Sequence, residues 1–296
     1  MTSSSTPPTS ATPDKPLVDI LDLKEIGENV FRGPKGEAGW QRVYGGQVLG
    51  QALAAGAKTV DASRCAHSLH SYFLLAGDPD QPIDYEVELT RDGGSFTTRR
   101  VKAKQHGRTI FTMSCSFHAP EDGLTHQFEM PKVPPPEQLL SAGDIASKHF
   151  KSVSKAMSTY WQKPRPIELR PVEVERYFGK GDKKPIQHTW LKTTAKLPDD
   201  VAIHQAVLAY ASDFTLLDTA LVPHGKRLFD PDLLMASLDH AVWFHRPFRA
   251  DEWLLYAQDS PSAQSGRGFC RGSLYTQDGQ LIASTAQEGL MRLRRK

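Results

Sequence analysis

The sequence predicts an α+β fold of two similar units, each with one central helix followed by an antiparallel meander of strands. Two internal matches predict the duplication. His70–Leu74 (HSYFL) matches His240–Phe244 (HAVWF) at a shift of 240−70=170, and Gly107–Phe111 (GRTIF) matches Gly279–Ala283 (GQLIA) at a shift of 279−107=172. Matches at nearly one shift are typical of a repeated unit. A chain of 296 residues is long enough for two such cores.

The first unit contains a helix built from small residues. In Gly45–Ala57 (GGQVLGQALAAGA) the apolar residues recur at helical spacing. Because small side chains allow close backbone approach, we expect a sheet to wrap tightly around this helix. The turn signals Asp92–Gly94 and His106–Gly107 divide the following segment into strand-like runs. The predicted strands are Leu69–Leu75, Ile83–Arg91, Ser95–Lys104 and Thr109–Phe117.

A proline-rich segment, Met130–Glu137, separates the two units, since its four prolines continue neither a helix nor a central strand. After it we predict a helix over Ser147–Trp161 and extended runs over Ile167–Arg176 and Ile186–Thr194. The predicted organisation is a disordered tail over 1–16, an N-terminal module over 17–129, a linker over 130–165 and a C-terminal module over 166–296.

The second unit has a helix of its own. We expect Asp200 to cap its N-terminus, an apolar stripe to run from Ile203 to Leu221, and Pro223 and Gly225 to end it. A second set of strands follows, with Gln277–Gly279 as a turn. These predicted strands are Leu238–Phe244, Trp253–Ala257, Phe269–Tyr275 and Leu281–Leu290.

Composition excludes several classes of function. With 39% hydrophobic and 24% charged residues and no apolar run near the roughly 18 that span a bilayer, we expect a globular protein without membrane insertion. A net charge of +2 does not favour nucleic-acid binding. Cys65, Cys115 and Cys270 lie far apart without metal-binding or redox spacing, which favours a reducing compartment, and we predict a cytoplasmic location. No metal or cofactor is expected.

The polar residues that occur in only one of the two units are the candidates for chemistry. Asp213 places a carboxylate on an apolar helix. Ser237 and Gln287 stand at positions where the first unit has different residue types, His67 and Cys115 respectively. Taken singly, the carboxylate is compatible with a bond to a backbone amide, the serine with a turn and the glutamine with a surface position. The sequence has no Gly-x-Ser-x-Gly, His-Glu-x-x-His or phosphate-loop signature.

The sequence resembles the type II acyl-CoA thioesterases, the TesB-type enzymes, over about Asp22 to Arg292. The resemblance rests on ordered blocks in both halves of the chain. These blocks are Gly45–Leu53 (GGQVLGQAL), His67–Leu74 (HSLHSYFL), Tyr210–Asp213 (YASD), Ser237–His240 (SLDH), Trp243–Phe248 (WFHRPF), Glu252–Tyr256 (EWLLY) and Ser284–Gly289 (STAQEG).

The resemblance implies a double hotdog fold, in which each of two modules is a long central helix wrapped by an antiparallel sheet. It implies hydrolysis of fatty acyl-CoA to free fatty acid and CoA, and assembly into homodimers or homotetramers through sheet faces. The family's catalytic Asp, Ser or Thr, and Gln fall on Asp213, Ser237 and Gln287. His67 lies in a motif that is also suspected of a catalytic part and is the lower-ranked candidate.

These residue types fit direct hydrolysis by an oriented water. An aspartate with its ordinary pKa of about 3.9 is ionised at neutral pH and can act as general base, while Ser237 and Gln287 aim the water at the thioester carbonyl. Backbone amides at Gly45–Gly46 are candidate donors to the oxyanion. Three alternatives remain open: an acyl-enzyme on Ser237, a hotdog enoyl-CoA hydratase, for which the histidine expected shortly after Asp213 is absent, and a non-catalytic acyl-CoA-binding module.

Overall fold

The structure is a computed structural model that describes residues 16–36, 41–148, 165–178, 181–228 and 230–294. The predicted tail, apart from Pro16, and most of the predicted helix Ser147–Trp161 lie outside these residues. The helices are α1 Leu17–Leu21, α2 Gly45–Ala57, α3 Ala142–Lys148 and α4 Val201–Ser212. Short 3₁₀ helices cover Pro136–Gln138, Val174–Phe178 and Leu217–His224.

The predicted strands are present in the predicted order, and several begin or end within one or two residues of the prediction, whereas Lys24–Gly27, Val30–Gly33 and Leu233–Ser237 were not predicted as strands. The strands are β1 Lys24–Gly27, β2 Val30–Gly33, β3 Cys65–Phe73, β4 Ile83–Asp92, β5 Phe96–Gln105, β6 Arg108–His118, β7 Ile167–Pro171, β8 Ile186–Thr193, β9 Leu233–Ser237, β10 Asp239–Phe244, β11 Leu254–Gln264, β12 Arg267–Thr276 and β13 Leu281–Leu293. The turn at His106 and Gly107 has φ of 48° and 71°, the left-handed backbone of a tight hairpin.

All pairings in the sheet are antiparallel, in the order β1-β2-β4-β5-β6-β3-β10-β13-β12-β11-β8-β7, with β9 beside β13. The predicted meanders are confirmed, because β4, β5 and β6 are neighbours and so are β11, β12 and β13. The halves of the sheet join at β3 and β10, where Ala241 lies opposite His70 and Trp243 opposite Ser68. The two strands that revealed the internal repeat are therefore direct neighbours.

Helices α2 and α4 pack against each other, and their glycines explain how closely. A Cβ on Gly46 would lie 2.2 Å from the Tyr210 carbonyl oxygen, and one on Gly50 would lie 2.8 Å from that of Ala206. The small residues of α2 were expected to let the sheet pack closely against this helix. Strands β3 to β6 do contact α2, but the closest approach is between the backbones of the two helices. This contact brings the N-terminus of α2 beside the C-terminus of α4.

Several element boundaries were predicted wrongly; β11, for example, continues to Gln264 instead of ending at Ala257. The helix that begins after Asp200, whose side chain accepts from the Ala202 amide as expected, ends at Ser212 instead of continuing past Leu221. Thr215 has a φ of 64°, which a continuing right-handed helix cannot contain. The extended run from Ile167 ends at Pro171, and a 3₁₀ helix follows.

The core lies between the sheet and the two long helices, where Leu49, Ala52, Val207 and Leu208 are completely buried. The described helices include none that is long and apolar enough to cross a lipid bilayer.

Candidate active site

Asp213 is the C-cap residue of α4 and directly follows its last residue, Ser212, with φ −81° and ψ −10°. A hydrogen-bond network from distant strands fixes the backbone on both sides of it. The Tyr256 hydroxyl donates to the Ser212 carbonyl at 2.9 Å, and the Gln258 amide donates to the Thr215 hydroxyl at 2.9 Å. Gln187 donates to the Thr215 carbonyl. The position of Asp213 is therefore set by strands β8 and β11 as well as by its own helix.

Ser237 and Gln287 approach Asp213 from two neighbouring strands. Ser237 is the last residue of β9, opposite Gly289 of β13, and Gln287 lies two residues earlier on β13. The Gln287 side-chain amide donates to Asp213 Oδ1 at 2.8 Å and to Ser237 Oγ at 3.1 Å. Gln287 is fully buried, so its amide has no competing water. The structure thus brings the three predicted residues into one hydrogen-bonded set.

The N-terminus of α2 faces the same carboxylate. The Gly46 backbone amide donates to Asp213, and a Cβ on Gly45 would lie 2.8 Å from Asp213 Oδ2. The positive end of the helix dipole favours an anion at this position. The Gly46 amide therefore favours the ionised carboxylate, and its expected use as an oxyanion donor stays a prediction. The Gly45 amide, at the cavity wall, stays a candidate for that use.

The pKa of Asp213 differs from the ordinary value assumed from sequence. Burial raises this pKa to about 6, although hydrogen bonds from Gln287, Gly46 and Ser237 and the charge of Arg42 act in the opposite direction. A carboxylate with a pKa near 6 is still mainly ionised at neutral pH, and it is a stronger base than a solvated aspartate. Burial thus shifts Asp213 toward the range expected of a general base.

Asp213 and Ser237 line a cavity of about 440 Å³. Its walls come from both halves of the chain, with Val48, Phe73 and Phe111 on one side and Phe214 and Leu217 on the other. Gln287 is not among the lining residues; it contacts Asp213 and Ser237 from the side that faces away from the cavity. A mainly apolar cavity with a few polar groups at one place is typical of a small-molecule site.

Sequence reasoning missed three charged residues of this cavity, Arg42, Arg165 and Asp218. The Arg42 guanidinium donates to the Met235 carbonyl at 2.9 Å, two residues before Ser237. Asp218 is a second carboxylate in the apolar segment that carries Asp213. The signal that singled out Asp213, a charge among apolar residues, was also present at Asp218.

The structure does not place His67 in this set. His67 lies on β3, where its ring is 5.5 Å from the Phe96 ring and 6.3 Å from the His118 ring, centroid to centroid. Burial and the neighbouring His118 lower the pKa of His67. Its Nε2 atom has no hydrogen-bond partner in the described part of the chain, and His67 does not line the cavity.

The described ranges contain no group of three or more His, Cys, Asp and Glu side chains arranged to hold a metal ion.

Two family models match the sequence. The acyl-CoA thioesterase model matches residues 157–290, and the model of the acyl-CoA thioesterase N-terminal domain matches residues 34–118. Acyl-CoA thioesterase 2 of Haemophilus influenzae is 41% identical over 277 residues, which cover 93% of this chain and 96% of that protein. Acyl-coenzyme A thioesterase 8 of Homo sapiens is 41% identical over 286 residues, covering 94% and 89%.

Solved structures agree with the sequence matches. An acyl-CoA thioesterase II of Mycobacterium marinum has a TM-score of 0.76 and 43% identity, covering 93% of this chain and 97% of that one. A protein of Alicyclobacillus acidocaldarius described as having a hot dog fold has a TM-score of 0.75 at 19% identity, covering 94% and 98%. The fold is a hotdog fold, and this chain belongs to the acyl-CoA thioesterase family, the enzymes that hydrolyse acyl-CoA thioesters.

Proposed function

We propose that this enzyme hydrolyses fatty acyl-CoA by direct attack of a water molecule that Asp213 deprotonates and Ser237 orients, while the buried Gln287 amide holds both side chains in place. One observation carries the proposal. The Gln287 amide contacts Asp213 at 2.8 Å and Ser237 at 3.1 Å, and both of these residues face the same cavity. A general base and a hydroxyl group that face one point, held there by a buried amide, are what water activation requires.

The proposed reaction needs no covalent enzyme intermediate. The water oxygen bonds to the thioester carbonyl carbon while its proton passes to Asp213. The tetrahedral intermediate then expels the CoA sulfur as the carbon–sulfur bond breaks, and the proton on Asp213 returns to the thiolate. The products are free fatty acid and CoA, and the carboxylate is regenerated. The Gly45 amide, at the α2 N-terminus, is the proposed donor to the transient oxyanion.

A fatty acyl group fits the chemistry of the cavity wall. Val43, Phe73, Ile110 and Phe111 line it with apolar side chains and offer an alkyl chain a water-poor surface. The cavity volume of about 440 Å³ lies within the range of sites that enclose a small ligand.

The finer architecture that we propose is a double hotdog. The modules would span 17–129 and 166–296, with 130–165 as linker, and β3 and β10 would join them. The separate family matches at 34–118 and 157–290 support this division, although the second match begins inside the proposed linker. At the start of that linker, Trp190 Nε1 donates to the Pro134 carbonyl at 2.9 Å, which ties it to β8.

We also propose assembly into homodimers or homotetramers through the outer sheet face. Tyr72 and Trp243, on the two central strands, are 61% and 37% exposed and offer apolar surface there. Light scattering of the full chain measures the mass, and a monomer at micromolar concentration would contradict this assembly. The cytoplasmic location stays a prediction.

The test of the mechanism is release of CoA from fatty acyl-CoA, followed with a thiol reagent. We expect Asp213→Asn to lower kcat by about 10²–10⁴-fold, because it removes the general base. Asp278→Asn, in an exposed turn away from the cavity, is the matched control and should keep wild-type turnover. Wild-type kcat in the Asp213 variant would refute the assigned base. A pre-steady-state burst of CoA, with an acyl group found on Ser237 in the acid-quenched protein, would replace direct hydrolysis with an acyl-enzyme.

A further inference from the structure

A second carboxylate faces the cavity that holds Asp213. Asp218 lies in the first turn of the 3₁₀ helix Leu217–His224 and is one of the lining residues. In the described part of the chain it makes no side-chain hydrogen bond and no ion pair within 4.0 Å. The proposed mechanism assigns no role to Asp218.

The surroundings of Asp218 differ from those of two other carboxylates, Asp213 and Asp251. Asp213 accepts from Gln287 and Gly46, and Asp251 is paired with Arg249 at 3.0 Å. Among the described residues, the charged groups that act on Asp218 are Arg176, Arg165 and Asp213, and Arg165 lines the same cavity. Burial raises the pKa of Asp218 to about 6, Arg176 and Arg165 lower this pKa, and Asp213 raises it. Above that pH the side chain is an anion whose acceptor positions receive no hydrogen bond from the residues that the structure describes.

Asp218 is half-buried at the cavity wall, and within the described residues no donor lies within hydrogen-bond distance of its carboxylate. Such a group is typical of a functional site, where a ligand supplies the missing donor. Asp218 lies five residues after Asp213 and within its electrostatic range, so a ligand atom that reaches Asp218 is near the reacting centre.

We propose that Asp218 is a substrate-recognition residue, which accepts a hydrogen bond from an N–H or O–H group that the substrate carries near its thioester. This inference rests on the proposed function. Two parts of an acyl-CoA can supply the donor: an amide of the pantetheine arm, which all CoA thioesters share, and a hydroxyl on the acyl chain, which only hydroxyacyl substrates have.

The test compares Asp218→Leu, which removes the acceptor, and Asp218→Asn, which keeps a neutral one. Asp278→Asn is the control for loss of a carboxylate outside the cavity. The substrates are octanoyl-CoA, 3-hydroxyoctanoyl-CoA and the ethyl thioester of octanoic acid, which has no donor. We expect kcat/KM to fall about 10- to 100-fold in Asp218→Leu for substrates with the donor, less in Asp218→Asn, and not at all for the ethyl thioester.

The pattern of losses identifies the donor. A loss with both CoA substrates assigns it to the pantetheine arm, and a loss with 3-hydroxyoctanoyl-CoA alone assigns it to the acyl hydroxyl. Unchanged kcat/KM for every substrate overturns the inference. An equal loss for all three, with a shifted pH profile, also overturns it, because Asp218 would then act only through the charge of Asp213.

A binding measurement separates failure of this inference from failure of the proposed function. Calorimetry with the non-hydrolysable thioethers S-octyl-CoA and S-(3-hydroxyoctyl)-CoA needs no turnover. We expect Asp218→Leu to raise Kd about 10- to 100-fold for at least one of them. Equal Kd values in wild type and variant would overturn the role of Asp218, whatever the hydrolysis assay gives. An intact thermal transition in the variants shows that they fold.

Discussion

Asp213 is expected to destabilise the folded protein at neutral pH, and Asp213→Asn should therefore raise its stability while it removes activity. Burial raises the pKa of Asp213 from 3.8 to about 6 in the folded chain. The folded state thus binds this proton more tightly than the unfolded chain does. The side chain favours folding most below pH 4, and this contribution is lost as the pH rises through 6.

The pKa difference gives the magnitude. A change of one pKa unit corresponds to about 1.4 kcal/mol, so ionised Asp213 costs the fold about 3 kcal/mol above pH 7. Asparagine has no charge to bury and keeps one oxygen for the Gln287 amide. We expect Asp213→Asn to increase the free energy of unfolding at pH 8 by roughly 1–3 kcal/mol, which corresponds to several degrees in Tm.

Urea unfolding of both proteins at several pH values measures this effect. The advantage of the variant should be largest at pH 7–8 and should shrink as the pH falls toward 4, where the wild-type carboxyl binds its proton in the folded state. A variant that is less stable than wild type at pH 8 would refute the reasoning. A stability difference that does not depend on pH would refute it as well, because the gain would then not come from the buried charge.

Three further predictions concern the same cluster. The kcat/KM of the wild type should fall about tenfold per unit below pH 6, since only ionised Asp213 accepts the proton of water; an acid limb near pH 4 in initial rates would contradict the raised pKa. Gln287→Leu removes both amide hydrogen bonds, so kcat should fall about 10²-fold and the acid limb should move to higher pH; an unmoved limb would show that the amide does not act on Asp213. Gly45→Ala places a Cβ 2.8 Å from Asp213 Oδ2 and should lower kcat at least about tenfold with an unchanged Tm, whereas Gly94→Ala, where a Cβ meets nothing within 4 Å, should match wild type in the same assay.

The regular elements followed from patterns that are local in the chain. The helix at Gly45–Ala57 and the meander strands were recognisable because spacing and turn residues act over a few positions. The end of α4 was not recognisable from such local patterns. Apolar residues continue at helix-like spacing beyond Ser212 because a 3₁₀ helix follows, and the kink at Thr215 is held by Gln187 and Gln258 from distant strands.

The candidate site was predictable where a polar residue contradicted its surroundings. Asp213, Ser237 and Gln287 stood out because the first unit has other residue types at the matching positions, and the family resemblance assigned the same three residues. The contact between the Gly46 amide and Asp213 depends on how α2 meets α4, which no local pattern contains. The raised pKa has the same origin, because it depends on burial.

The contact at the α2 N-terminus explains why the chain needs both halves although the three candidate catalytic residues all lie in the second. Burial alone would raise the pKa of Asp213 further, and a neutral carboxyl cannot accept a proton from water. The Gly46 amide and the charge of Arg42, both from the first half, oppose that rise together with the Gln287 amide. The first half also provides Phe73 and Phe111 to the cavity wall. A change that separates the two helices should therefore reduce activity before it unfolds either half, because the ionised state of the base depends on their contact.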